Sequence, residues 1–140
     1  MSRAIDLYQQ KMWMRVRHPH FSCRVSRRNR TPRLVCRGVV QPIPLSDEYR
    51  VRIEYECGIK PKVWVENPNL QRRDPRERIP HTYEGDRPCL FKDDWNTSMP
   101  IATSIVPWLM LWLVFYESWR VTGEWQGGGI HPEPAGEQNG

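Results

Sequence analysis

The chain has 140 residues and a mass of 16.7 kDa, and 39% of its residues are hydrophobic and 26% charged. This length predicts one domain with a single core, and the composition is unlike that of a disordered chain. Thirteen prolines argue against a coiled coil or a long helical bundle. Each proline inside a helix costs about 3 kcal/mol.

The charge is divided unevenly along the chain. Residues 1–60 hold 13 Lys and Arg against 5 Asp and Glu, whereas residues 61–140 hold 8 against 11. Eight arginines lie between Arg15 and Arg37 without an acidic residue among them. Such a stretch is typical of contact with nucleic acid or with an acidic protein. Aromatic residues do not alternate with these arginines as a base-stacking surface requires, so we expect an acidic protein partner and no nucleic acid.

The first two thirds of the chain predict a short helix followed by an antiparallel sheet. Residues 3–15 form the helix, with Ile5, Tyr8 and Met12 on its apolar face. Four segments then alternate between apolar and polar residues, which is typical of strands with one buried face. Short connections between them favour a four-stranded meander. The predicted strands are Phe21–Arg28, Arg33–Val40, Tyr49–Tyr55 and Lys62–Glu66.

A long loop and an apolar helix follow the predicted sheet. Residues 67–97 show no long periodic segment, and a loop of this length is often functional. We expect the helix to begin at Ser98, with Ser98 or Thr97 as its cap and Pro100 in its first turn, and to end near Trp119. The chain from Thr122 is rich in Gly and Pro and predicts an irregular tail, disordered over residues 133–140.

The apolar helix is long enough to raise the question of a membrane span. Met99–Tyr116 contains 18 residues without a charge, which is the lower limit for crossing a bilayer. Pro107, Thr103 and Ser104 interrupt it, and no Lys or Arg cluster flanks it. We therefore expect a buried helix and no membrane. A helix that is apolar on most sides must bury more than one face, so a homodimer or partner contact through it is also an expectation.

Four cysteines, Cys23, Cys36, Cys57 and Cys89, form no CxxC pair, and the first residues lack the apolar segment of a signal peptide. We expect free thiols in the cytoplasm, no metal site and no cofactor. Cys23 and Cys36 lie on apolar strand faces and are interpreted as core residues, whereas Cys57 is ambiguous.

Cys89 differs because it lies in a polar loop, directly after Pro88. It is either an exposed nucleophile or a half-buried apolar residue at the end of a loop. A thiol is already reactive at neutral pH, and attack on an acyl group needs donors for the oxyanion that forms. His81, Thr82 and Tyr83 are candidate donors close upstream.

The order of these elements and motifs resembles the ubiquitin-conjugating (UBC-like) enzymes. Pro88-Cys89-Leu90 resembles the active-site motif of that family, Trp95 its following tryptophan, and His81 the histidine of its His-Pro-Asn motif. The chain is similar in particular to the UBC-like proteins of short type II CBASS antiphage operons. This likeness covers about residues 3–132 and also involves Ile79–Tyr83, Pro107-Trp108, Thr122–Trp125, Gly127–Gly129 and His131-Pro132.

The resemblance implies an α+β, UBC-like single domain over residues 1–132 and an acyl transferase with Cys89 as its nucleophile. It implies a thioester with the C-terminus of a cyclic-oligonucleotide synthase, a cGAS-like nucleotidyltransferase, in antiphage defence. Thr82-Tyr83 stand where the family has Pro-Asn, which puts aminolysis by lysine in doubt. The alternative is a non-catalytic scaffold that binds the synthase. Whether His131 acts at Cys89 or has no role is left open.

Overall fold

The computed structural model describes residues 4–27, 30–90 and 95–127. Their architecture is α+β, with an N-terminal helix, a four-stranded sheet, a two-stranded hairpin and a C-terminal helix. The predictions for His131 and for the tail at 133–140 lie outside the described residues. The helices and strands are α1 (Leu7–Arg17), β1 (Ser22–Ser26), β2 (Arg33–Val40), β3 (Tyr49–Glu56), β4 (Lys62–Asn67), β5 (Thr82–Tyr83), β6 (Arg87–Pro88) and α2 (Ile105–Thr122).

The predicted antiparallel meander is confirmed. The sheet has the order β1-β2-β3-β4, and each neighbouring pair is antiparallel. β3 alternates as its sequence predicts, because Tyr49, Val51, Ile53 and Tyr55 are all buried in the core. The connections between neighbouring strands are short, so the entropic cost of closing each loop is small.

Arginines on the solvent face of the sheet are paired with glutamates. Arg52 Nε lies 2.9 Å from a carboxylate oxygen of Glu66, and Arg33 lies 3.4 Å from Glu54. Arg37 also faces Glu66, at 3.7 Å. Arg37 is exposed and takes part in these ion pairs. Much of the positive charge on this face is therefore locally compensated.

The predicted apolar face of α1 is wrong. The helix buries Leu7, Gln10 and Met14, whereas Tyr8 and Met12 are 56% and 58% exposed. Gln10 occupies the inner face because its amide donates to the carbonyl of Met99 at 3.0 Å and its oxygen accepts from the backbone N–H of Ile101 at 2.8 Å. The helix begins one residue after Asp6, whose side chain accepts from the backbone N–H of Gln9 in a capping box.

The predicted start of the long helix is also wrong. Residues Ile101–Thr103 form a short 3₁₀ turn, and α2 begins only at Ile105, after the non-helical Ser104. Pro107 explains why α2 begins at Ile105. Its ring would clash with a helical carbonyl four residues earlier, but proline is tolerated in the first turn of a helix. The helix continues past Trp119 to Thr122. Gly123 caps it with a left-handed backbone conformation, φ 82°.

Among the described residues, one helical stretch, Ile101–Thr122, is long and apolar enough to cross a membrane. Half of its most apolar window is buried inside the fold. The side chains that it buries are Ile105, Val106, Leu109, Trp112, Leu113, Tyr116 and Trp119. The core helix of a globular domain has this same property, so the stretch by itself is weak evidence for a membrane span.

Candidate functional site

A small hairpin positions Cys89 beside the other predicted site residues. β5 and β6 pair antiparallel, with Thr82 opposite Pro88 and Tyr83 opposite Arg87. The turn between the two strands contains Gly85 and Asp86, both left-handed, with φ of 78° and 57°. The backbone N–H of Cys89 donates to the carbonyl of His81 at 2.9 Å, which extends the pairing by one step. The structure thus brings His81, Thr82 and Cys89 together.

His81 is held through its backbone as well as its ring. Its φ of 55° is a left-handed conformation that residues other than Gly adopt rarely. Its carbonyl accepts a second hydrogen bond from the indole Nε1–H of Trp112 at 3.0 Å. The imidazole is buried and lies 5.0 Å from the ring of Trp125, centroid to centroid. One carbonyl therefore joins the Cys89 backbone to the middle of α2.

The two hydroxyl residues after His81 have different surroundings. Thr82 is fully buried, and its Oγ1 donates to the carbonyl of Ile79 at 2.7 Å. That bond would have to break before the hydroxyl could donate to an oxyanion. Tyr83 is half-buried, with the guanidinium of Arg87 5.3 Å from its ring centroid. A nearby guanidinium stabilises negative charge. The side of the hairpin that carries Tyr83 and Arg87 therefore suits an anionic group better than the buried side that carries Thr82.

Of the two alternatives left open for Cys89, an exposed nucleophile or an apolar residue at the end of a loop, its burial agrees with the second. Cys89 is only 1% exposed, and its neighbours Pro88 and Leu90 are buried as well. A loop cysteine flanked by apolar residues at the end of a short strand is drawn into the core by the same burial that orders the hairpin. In this conformation the terminal residues of another polypeptide do not reach the sulfur.

The remaining cysteines are reduced and lie elsewhere. Cys36 is buried, as expected for a core residue, Cys23 is half-buried, and Cys57 is exposed. Within the described residues, no three His, Cys, Asp or Glu side chains are grouped so as to hold a metal ion.

Trp95 lies behind the site and joins the sheet to α2. Its ring packs edge-on against Tyr55 with centroids 5.2 Å apart, and its Nε1–H donates to the hydroxyl of Ser104 at 3.1 Å. The Ser104 hydroxyl in turn donates to the carbonyl of Pro100 at 2.6 Å. These contacts fix the segment that enters α2 and indicate a structural role for Trp95.

Trp112 and Trp125 contact the site, although no site role was predicted for either residue. Trp112 is fully buried and stacks on Tyr116, with ring centroids 5.6 Å apart. Trp125 lies 5.3 Å from Trp112 and closes the aromatic cluster over His81. The helical spacing of Trp112 and Tyr116 predicts a buried face, but spacing alone does not reveal which loop that face will meet.

Comparison with known families gives a match over most of the chain. A family model described as "Type II CBASS E2 protein" matches residues 10–132. The chain belongs to this family. The match includes α1 from Gln10, the sheet, the hairpin with Cys89, and α2. Membership assigns the protein to type II CBASS antiphage defence as an E2 protein. No curated protein matches the chain.

Proposed function

We propose that this CBASS E2 protein is a conjugating enzyme whose Cys89 thiol forms a thioester with the C-terminal carboxyl group of a cyclic-oligonucleotide synthase. Family membership supports an E2-type activity. The observation that carries the assignment of Cys89 is its hydrogen bond to His81, whose carbonyl also binds Trp112. Catalysis needs a nucleophile in a fixed position, and this shared carbonyl fixes the backbone at Cys89.

In the proposed step, the Cys89 thiolate attacks the carbonyl carbon of an activated C-terminal carboxyl group. A carbon–sulfur bond forms, and the activating group leaves with its electron pair. In this proposal the activated carboxyl comes either from an upstream enzyme or with a partner that arrives already activated. The side of the hairpin that carries Tyr83 and Arg87 is the better candidate for stabilising the transient oxyanion, since the Thr82 hydroxyl is already bonded.

The burial of Cys89 adds a condition to this proposal, because the thiol must become accessible before it reacts. Cys57 is the matched control, as an exposed cysteine in the same chain. We expect iodoacetamide to modify Cys57 readily and Cys89 slowly in the isolated protein. Addition of the synthase should accelerate the modification of Cys89 without changing that of Cys57, measured by peptide mass spectrometry.

The decisive experiment is co-expression with the neighbouring synthase, followed by intact-mass analysis before and after thiol treatment. The unaltered protein should carry a thiol-sensitive adduct, and Cys89→Ala should carry none. Cys89→Ser should give an oxygen ester that survives thiol treatment, because a serine ester is not cleaved by thiols under these conditions. An adduct and phage protection that both persist in Cys89→Ala would show that Cys89 is not the nucleophile.

His81→Asn separates the backbone role of this residue from that of its ring. Asn tolerates left-handed φ better than most residues, so the carbonyl can keep its bonds to Cys89 and Trp112. We expect the variant to fold and its rate of adduct formation to fall if the imidazole takes part. An unchanged rate would assign His81 a backbone role alone.

A non-catalytic scaffold is the second candidate, and two observations favour it. The Cys89 thiol is buried, and α1 presents an exposed apolar face formed by Tyr8, Met12, Trp13 and Val16. An open groove of about 780 Å³ lies along this face. Asp6 is the charged residue among those that line the groove, whereas Lys11, Arg15 and Arg17 lie elsewhere on α1. The proposed occupant is therefore an amphipathic segment of the synthase that places its apolar face in the groove and its acidic residues toward these cations.

Introducing a negative charge on the apolar face of α1 tests the scaffold function. We expect Met12→Glu and Val16→Glu to weaken synthase binding, measured by calorimetry, because each places a carboxylate where an acidic apolar segment would lie. Leu45→Glu is the matched control, since Leu45 is 95% exposed and lies in the loop between β2 and β3. If the α1 variants bind normally, this face is not the docking surface. A complex that needs Cys89 and is released by thiols excludes a purely non-covalent scaffold.

A further inference from the structure

Two thiols lie opposite each other in the sheet, away from the proposed Cys89 site. Cys23 of β1 pairs directly with Cys36 of β2. Directly paired residues of antiparallel strands project from the same face of the sheet, with Cα atoms about 4.5–5.5 Å apart. A disulfide spans Cα separations of about 4.4–6.8 Å. The backbone therefore already provides the separation that a bond between the two sulfurs requires.

The two cysteines differ in how a reagent reaches them. Cys36 is fully buried in the core, whereas Cys23 is half-buried. Cys23 also lines a surface pocket of about 300 Å³, together with the cationic side chains of Lys11 and Arg15. A small oxidant can enter this pocket and meet Cys23 first.

The surroundings of the pair assign a separate role to each sulfur. A hydrogen bond from Cys36 lowers the pKa of the Cys23 thiol, burial opposes that effect, and the charge of Lys11 adds to the lowering. The same hydrogen bond raises the pKa of the Cys36 thiol, and burial raises it further. Cys23 is therefore the sulfur that loses its proton more readily, and Cys36 the one that holds its proton more firmly.

We propose that Cys23 and Cys36 form a peroxide-oxidised dithiol site that closes to an intramolecular disulfide. The Cys23 thiolate attacks one oxygen of hydrogen peroxide, the O–O bond breaks, and the departing hydroxide takes a proton to become water. Cys23 is then a sulfenic acid. The Cys36 sulfur attacks it, so that the S–S bond forms and the S–O bond breaks. The oxygen leaves with the Cys36 proton as a second water, and the two thiols together have lost two electrons.

The bond would join β1 to its neighbour β2 in the four-stranded sheet. It would close the turn between β1 and β2, so that the two strands no longer separate. Cys57 and Cys89 are not needed for this reaction, which makes it independent of the proposed thioester chemistry.

The experiment uses the full-length chain with Cys57→Ser and Cys89→Ala, which leaves Cys23 and Cys36 alone. After peroxide treatment and alkylation under denaturing conditions, we expect a mass lower by two hydrogens, no alkyl groups and a linked peptide that contains both cysteines. Dithiothreitol should restore both thiols. Cys23→Ser in the same background should give no intramolecular disulfide and much slower oxidation of the buried Cys36.

Two results would overturn the proposal. The first is that both thiols stay open to alkylation after peroxide treatment, and the second is that Cys23 is converted to sulfinic acid without a disulfide. Cys36→Ala is a second variant, in which dimedone should capture the Cys23 sulfenic acid that has no resolving thiol. Since Cys36 is a core residue, the half-buried Cys23→Ser carries the test if Cys36→Ala does not fold.

Discussion

The meander and the segment that carries Cys89 are stabilised in different ways. β1 to β4 are joined by continuous ladders of backbone pairs, with ion pairs on the solvent face. In the described part of the segment from Ile79 to Gly127, a hairpin of two-residue strands and a short 3₁₀ turn precede α2, and the segment depends on individual side-chain contacts between residues far apart in sequence. When one contact of a ladder is lost, the neighbouring backbone pairs still hold the strands together. When a single anchoring hydrogen bond is lost, no neighbouring pair replaces it. Substitutions should therefore cost more in the site segment than in the meander.

The largest expected effect is that of Trp112→Ala. Trp112 is fully buried, stacks on Tyr116 and bonds to the carbonyl of His81. Its removal leaves a cavity and should lower the free energy of unfolding by about 3–5 kcal/mol. Urea denaturation measures this loss. Trp112→Phe is the control, because it keeps most of the volume and loses the hydrogen bond, and it should cost clearly less. Equal losses of stability in Trp112→Ala and Trp112→Phe would mean that packing of the indole is not the main contribution of Trp112 to the free energy of unfolding.

Gln10→Leu should have the next largest effect, because it detaches α1 from the segment that leads into α2. The change leaves the Met99 carbonyl and the Ile101 N–H without their partner in a buried region. An unsatisfied buried group costs about 1–3 kcal/mol, and because Met99 is only partly buried we expect a total loss of about 2–4 kcal/mol in urea denaturation. Gln9→Leu, on the exposed side of the same helix, is the control and should cost less. A loss below that of the control would contradict this account of α1.

Tyr49→Phe tests the junction between the two regions. The Tyr49 hydroxyl donates to Glu117 of α2 at 2.5 Å, and its loss should cost about 1.5 kcal/mol. Burial, followed by the hydrogen bond to Glu117, raises the pKa of Tyr49 above its usual value of 10. The neutral phenol therefore stabilises the fold below about pH 10, and this contribution is lost as the pH rises further.

The pH dependence provides the second measurement for this variant. Melting temperatures between pH 8 and 11 should fall less steeply in Tyr49→Phe than in the unaltered protein, because one group that resists ionisation in the folded state has been removed. Identical slopes would show that Tyr49 does not contribute to the alkaline loss of stability.

Arg33→Ala should have the smallest effect, since it removes one contact from the meander alone. Arg33 is partly exposed and lies 3.4 Å from Glu54 and 3.7 Å from Glu56. Such ion pairs contribute about 0.2–1 kcal/mol and are weakened by salt. We expect a loss at or below about 0.5 kcal/mol that disappears in concentrated salt, measured by thermal denaturation. A loss as large as that of Gln10→Leu would erase the contrast between the two regions.

Much of the meander could be predicted from local sequence. Alternation at Tyr49, Val51, Ile53 and Tyr55 identified a strand and its buried face, because side chains of a strand point alternately to opposite sides. The same type of reasoning selected the wrong face of α1. Apolar residues occur on both sides of that helix, and the inner face is decided by a glutamine whose partners lie about 90 residues away.

The site was predicted in part. The sequence identified Cys89, His81, Thr82 and Tyr83 as a group, and the hairpin register does bring Cys89 next to His81 and Thr82. The burial of the thiol and the contacts of Trp112 and Trp125 with His81 could not be predicted. They depend on how α2 and the segment after it pack over the hairpin, which no local pattern specifies.

By itself, the sequence determined the four strands of the meander and the buried face of β3. Local geometry governs these features, since they depend on backbone dihedrals and on neighbours a few residues apart. Only the tertiary structure decided that Cys89 is buried, that Gln10 points inward and that Cys23 faces Cys36. Each of these depends on contacts between segments that are distant along the chain, where packing and hydrogen bonding override local preference.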